Sequence, residues 1–250
     1  MRVSNVPAIT RRYWAAILVA SMCGANTGDF LSHNLHLGHT RGLLPLAALF
    51  LLSLWAERRA RIPTEAYYWL AIIVLRTAAT NLADLCTHDL KLGYGATEIG
   101  LTLLLIAFLV TDRNRGSSMS SIAQQDRPRL PTTNGNYWLA MLTAGTLGTA
   151  SGDFTADVVG LGLFYGSAVL TALFAVVLII SWRFGGMSKP WYWASIVAAR
   201  TAGTTLGDLL ASRHGLDLGL PLSTTLTAFT LTIIVLFWPH PSNVKAAVAR

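Results

Sequence analysis

Apolar residues run in eight long stretches along this 250-residue chain, each closed by a short polar patch. Crossing a bilayer takes roughly 20 apolar residues in a helix. The stretches predict transmembrane helices over about 13–35, 42–57, 66–88, 95–111, 136–157, 163–182, 190–212 and 220–238. The expected fold class is therefore all-α, a polytopic membrane protein.

The polar punctuation is periodic. A Tyr-Trp pair occurs at Tyr13-Trp14, Tyr68-Trp69, Tyr137-Trp138 and Tyr192-Trp193, and 16 residues after each Tyr stands Asp29, Asp84, Asp153 or Asp208. Nine residues beyond the first three Asp comes the Gly of a Leu-Gly pair (Gly38, Gly93, Gly162); in the fourth copy Gly219 comes after eleven. A second apolar stretch follows each Leu-Gly, so the chain reads as four tandem helical hairpins. Asp29 to Asp153 and Asp84 to Asp208 are both 124 residues apart, which pairs the hairpins into halves, 1–111 and 136–240. Between them, 112–135 is rich in Ser, Pro, Arg and Gln and reads as a linker; 241–250 is a tail.

Composition agrees: 53% hydrophobic and 12% charged, against about 25% charged in a soluble domain. The net charge of +7 could suggest nucleic acid, but its placement points elsewhere. Lys and Arg crowd the termini and even-numbered loops (Arg2, Arg11, Arg12, Arg58, Arg59, Arg61, Lys245), while the odd loops hold only Arg41, Lys91 and Arg213. That bias predicts cytoplasmic termini in a cell (inner) membrane. All eight Trp fall near predicted cytoplasmic helix ends and are expected in an interfacial belt. The start, "MRVSNVPAITRR", mimics a signal peptide, but the apolar run after it belongs to the repeat and is expected to be retained. Cys23 and Cys86 lie at non-matching positions inside apolar runs and read as small core residues. Because each hairpin has two helices, every copy enters the membrane the same way up. The simplest arrangement is a ring with a pseudo-fourfold, or pseudo-twofold, axis along the membrane normal.

Four tandem two-helix repeats with a Tyr-Trp start and a small-Asp motif resemble a family of bacterial membrane proteins described as carrying a repeat of unknown function. The resemblance spans nearly the whole chain outside the linker and tails. It implies a multi-pass membrane protein and no particular activity.

On a helical wheel, steps of about 100° place further polar residues near each Asp. Seven and four residues back stand Thr77 and Thr80, and Thr201 and Thr204; three back stand Asn26 and Asn81; four ahead stand His33, His88 and Asp157. Lipid cannot satisfy such a face, so it must look into protein or water. Another face carries small residues four apart, such as Gly24/Gly28 and Gly148/Gly152, a pattern that lets helices approach closely. Arg76 and Arg200 interrupt the apolar runs at matching positions, where copies one and three have Ser21 and Gly145. At ~1.5 Å per residue each Arg lies ~12 Å and each Asp ~24 Å from the Tyr level, near the midplane and in the outer third.

Four Asp and two Arg sum to −2, which one divalent cation would cancel. Asp29/His33 and Asp84/His88 place donors on successive turns, and Asp153/Asp157 supplies two carboxylates. Carboxylate, imidazole and Thr/Asn oxygens suit an ion of the Mn²⁺ type. The expected function is a transporter for a small cation, a divalent metal foremost, with the metal as substrate and no certain cofactor. Carboxylates held close share protons, so proton exchange is a natural coupling. Arg76 and Arg200 would gate or serve as counter-charges. The alternatives are proton-coupled transport of a small anion or zwitterion on the Arg pair, and a non-transporting scaffold or sensor in which each Asp braces its own hairpin. No enzyme is expected: no nucleophile–base spacing and no phosphate cradle stand out. The partners expected are lipid and a small solute.

Overall fold

The computed structural model describes residues 7–60, 64–114, 133–183 and 188–238. Most of the predicted linker, the tail, and Arg2, Arg61, Arg115, Arg127, Arg129, Lys245 and Arg250 lie outside the described residues.

Eight α-helices and no strand make up the described chain: α1 Arg11–Asp29, α2 Gly38–Arg59, α3 Ala66–Asp84, α4 Gly93–Asn114, α5 Gly135–Asp153, α6 Gly162–Arg183, α7 Lys189–Ala211 and α8 Gly219–Phe237. Helices α2, α3, α4, α6 and α8 are long and apolar enough to cross a membrane. The other three carry much of the polar residue set, which an apolar surround must shield.

The shielding follows from the packing order. Helix α1 packs on α3 and α7, and α5 packs on α3 and α7, so the odd helices close an inner ring. The even helices lie outside it, but each packs on the following odd helix: α2 on α3, α4 on α5, α6 on α7 and α8 on α1. Every hairpin therefore reaches across to its neighbour, and α8 against α1 joins the last repeat to the first. Arg12 fastens that joint. Its Nη2 donates to the Val235 carbonyl (2.7 Å), its Nε to the Ile234 carbonyl (3.3 Å), and its Nη1 pairs with Glu65 (2.9 Å). A cation at a helix C-terminus also meets the negative end of the helix dipole. Asn136 holds the equivalent place and donates to the Phe108 carbonyl of α4 at 2.9 Å.

Small residues set the ring's radius in a cyclic rule. A side chain at Gly24 would strike Arg76 of the next helix, and one at Gly203 would strike Ser21. A Cβ at Gly148 would lie 2.7 Å from Arg200 Cβ, and one at Gly145 would lie 3.0 Å from Ala79 Cβ. In each case the residue 11 after Tyr meets the residue 8 after Tyr on the following inner helix.

The Leu-Gly turns also have a shared cause. Gly38, Gly93, Gly162 and Gly219 all adopt positive φ, between 64° and 74°, and so do His36, Lys91, Gly160 and Asp217 two residues before them. That double left-handed turn reverses the chain within a few residues and disfavours side chains. In the first three repeats a π turn precedes it: Phe30–Asn34, Leu85–Asp89 and Phe154–Val158, each starting directly after the Asp. The longer fourth loop has none.

One expectation is corrected. Trp14, Trp69, Trp138 and Trp193 are buried, at most 7% exposed, and do not lie in an interfacial belt. Each stacks edge-on against its adjacent Tyr, and each also lies 5.7–6.0 Å, ring centre to centre, from the Tyr of a neighbouring inner helix. Trp55 and Trp182 do sit on the outside, under the guanidinium groups of Arg59 and Arg11.

Candidate functional site

The inner ring is layered along its length. At the end where the odd helices begin, Tyr13, Tyr68, Tyr137 and Tyr192 turn inward and their hydroxyls form a closed square. Its sides are 3.0 Å (13–68), 2.8 Å (68–137), 3.0 Å (137–192) and 2.7 Å (192–13). A hydroxyl can donate once and still accept, so four suffice to satisfy one another with no outside partner. All four rings are buried.

The arginines come next, and equal sequence positions have unequal surroundings. Arg200 crosses the ring and touches all three other inner helices. It donates from Nε to Thr149 Oγ1 (2.9 Å), from Nη1 to the Ser21 carbonyl (2.6 Å), and from Nη2 to Thr80 Oγ1 (2.5 Å) and the Arg76 carbonyl (3.1 Å). Arg76 has only a contact from Nη2 to the Met141 sulfur at 3.7 Å; its Nε and Nη1 find no partner. Neither arginine forms an ion pair with the aspartates; Asp84 is paired with His39 and His88, and Asp89 with His39.

Beyond Arg200 the ring opens into a cavity of about 630 Å³. Asp29, Asp84, Asp153 and Asp208 all line it, one from each repeat. Thr80 and Thr149, which hold Arg200, also belong to its wall, so the guanidinium lies directly behind the lining. Thr204 lines it as well, and so do His33, His88 and Asp157, which stand at its exposed mouth.

Asp29, Asp153 and Asp208 accept no hydrogen bond from any described residue. Asp84 differs, with His39 Nε2 at 3.8 Å and His88 Nδ1 at 3.9 Å. His33 makes no ion pair with Asp29 and packs edge-on against His39, ring centres 6.0 Å apart. A π turn begins directly after each of these Asp; Asp84 and His88 still approach across it, whereas Asp29 and His33 do not pair. Among the described residues no three His, Cys, Asp or Glu side chains are grouped to hold a metal ion.

The remaining polar residues lie between helices, outside the cavity lining. Thr77 and Thr201 donate back to the Ile73 and Val197 carbonyls, four residues earlier. Asn81 Oδ1 accepts from Ser32 Oγ (3.1 Å), and its amide nitrogen faces Gly42 of α2. Asn26 is fully buried against Gly207 with no hydrogen-bond partner for its amide.

Sequence reasoning used the tyrosines only to mark the repeat and passed over their hydroxyls. Their common spacing from Asp was the available signal: residues at one register in a ring meet at the axis. His39 was also missed. Its counterparts after the Leu-Gly pairs are Tyr94, Leu163 and Leu220, so no repetition flags it.

The family profile described as Repeat of Unknown Function (DUF347) matches four times, over residues 12–62, 67–112, 136–186 and 191–241. The chain belongs to this family. Each DUF347 repeat starts one residue before a tetrad Tyr and carries one cavity Asp. The repeat unit thus coincides with the unit of the ring. No curated protein and no solved structure matches the chain.

Proposed function

We propose that this DUF347 protein is a transporter for a small cation in the cell (inner) membrane. In this reading all eight helices cross the bilayer as four tandem hairpins, around a pseudo-fourfold axis along its normal. The positively charged residues Arg11, Arg12, Arg58, Arg59 and Arg183 cluster at the tyrosine end, which assigns that end and both termini to the cytoplasm. In this reading the cavity faces outward and the tyrosine end is the closed, inner one.

One observation carries the reading: four carboxylates from four repeats share one cavity, three of them with no protein donor. Braces for separate hairpins would each bond a local helix end or turn. Ionisable groups retained at membrane depth without structural partners are the mark of a substrate or ion pathway. Arg200 supplies a fixed positive charge behind the aspartates, so a bound cation is not held by a net of four negative charges and can leave. The tyrosine square and Arg76 form the inner barrier. Shared protons on the aspartates provide the coupling ion. A divalent ion bound here keeps its water shell, because no three-ligand group awaits it.

A second reading draws on Arg76, whose Nε and Nη1 are buried and unpaired. They would suit a small anion or zwitterion moved with protons. Accumulation of a panel of divalent cations in cells expressing wild type, Asp84→Asn/Asp208→Asn and Arg76→Gln separates the two. Cation transport predicts loss in the double Asp variant and retention in Arg76→Gln. Normal folding with no response of any cation to the Asp changes would sink the first reading.

A further inference from the structure

Building on the cation-transport reading, we infer that the cavity takes an organic cation with two or more protonated amines along an alkyl chain, in preference to a metal ion.

The size of the cavity is the first argument. About 630 Å³ lies within the ~300–1,000 Å³ range of small-molecule sites and far exceeds the space a few-ångström coordination sphere needs. The disposition of the acids is the second. A metal demands several donors converging within about 2–2.6 Å of one point. Here each carboxylate comes from a different inner helix, and no three-ligand group forms among the described residues. Carboxylates dispersed around a cavity match cationic groups dispersed along a ligand.

The third argument is an orphaned polar atom. Thr204 lines the cavity, is 2% exposed, and its Oγ1 has no hydrogen-bond partner. Burying a hydroxyl unpaired costs about 1–3 kcal/mol, and a ligand donor that reached it would recover that cost. Thr80 and Thr149, at the same register on α3 and α5, are already engaged by Arg200; Thr204 is the one left free. It stands one turn before Asp208 on the same helix face. An ammonium group carries three N–H donors, enough to reach Asp208 and Thr204 Oγ1 together. Besides the acids the lining holds His33, His39, His88, Tyr94 and Arg213, and between these polar groups lie the apolar Ala25, Ala156, Leu163, Ala211 and Leu220. Bare metal ions gain nothing from such surface; methylene groups between amines do.

The test uses the full-length purified protein in lipid nanodiscs and proteoliposomes, with radiolabelled spermidine and putrescine as probes and Mn²⁺ as the competitor. Saturable amine binding is expected, with Asp153→Asn and Asp208→Asn each weakening it about tenfold or more. Thr204→Val should weaken it several-fold while leaving the elution profile of the folded protein unchanged. Mn²⁺ should compete no better than Mg²⁺ at the same ionic strength. If Mn²⁺ accumulates in an Asp-dependent way and neither amine binds wild type, the organic-cation assignment is overturned and cation transport stands. If neither amine nor any metal binds or moves through the folded wild-type protein, both fall.

Discussion

Tyr13 and Tyr192, 179 residues apart, share a hydroxyl–hydroxyl hydrogen bond of 2.7 Å. It joins the first repeat to the last and is the shortest side of the tyrosine square. The closure acts inside the ring, beside the Arg12 joint that ties α1 to the Ile234 and Val235 carbonyls of α8. Aromatic rings fill the cross-section, and their hydroxyls consume one another's hydrogen-bonding capacity.

Tyr192→Phe should therefore cost about 1–2 kcal/mol, since it removes two hydrogen bonds and leaves Tyr13 and Tyr137 each short of a partner. Tyr68→Phe/Tyr192→Phe removes opposite corners and with them all four bonds. Proteoliposomes of the double variant should leak cations faster than wild type. A tight double variant would show that the square is not the barrier.

The two arginines should respond in opposite directions. Arg200→Met strips four donations that tie α7 to α1, α3 and α5, and should lower stability by about 3–5 kcal/mol. Arg76→Met removes a buried charge with two unpaired nitrogens and is expected to be neutral or stabilising. Thermal unfolding in one detergent checks the pair. Equal losses would contradict the difference in their surroundings.

Close approach at the ring contacts makes a coupled prediction. Gly148→Ala places a methyl 2.7 Å from Arg200 Cβ and 2.8 Å from its Cγ, an overpacking that should cost about 1–3 kcal/mol. In an Arg200→Gly background, which copies the residue of the third repeat, most of that cost should vanish. Additive unfolding free energies would argue that the two residues do not meet.

Turn glycines and helix glycines should separate cleanly. Gly162 has a φ of 67°, so Gly162→Ala forces a left-handed alanine and is expected to cost about 1–2 kcal/mol. Gly95 lies inside α4 with open space around it, and Gly95→Ala should stabilise by about 0.5–1 kcal/mol. Paired melting curves of the two variants decide this.

The sequence alone determined the repeat, its length and the register of its chemistry. Hydrophobic period and local turn requirements are written residue by residue, so eight helices, the Leu-Gly reversals and the common register of the four Asp were legible. Which helix packs on which was not: apolar outer faces carry no address, and only the three-dimensional arrangement sets α2 on α3 and α8 on α1. Trp14 illustrates the same limit, because an aromatic near a helix end reads as interfacial until its neighbours are known. Arg76 and Arg200 occupy one register in the repeat, yet one is fully engaged and the other is not. That difference arises from the side chains that other helices bring to each, and a contact made across a ring depends on residues far away in the chain.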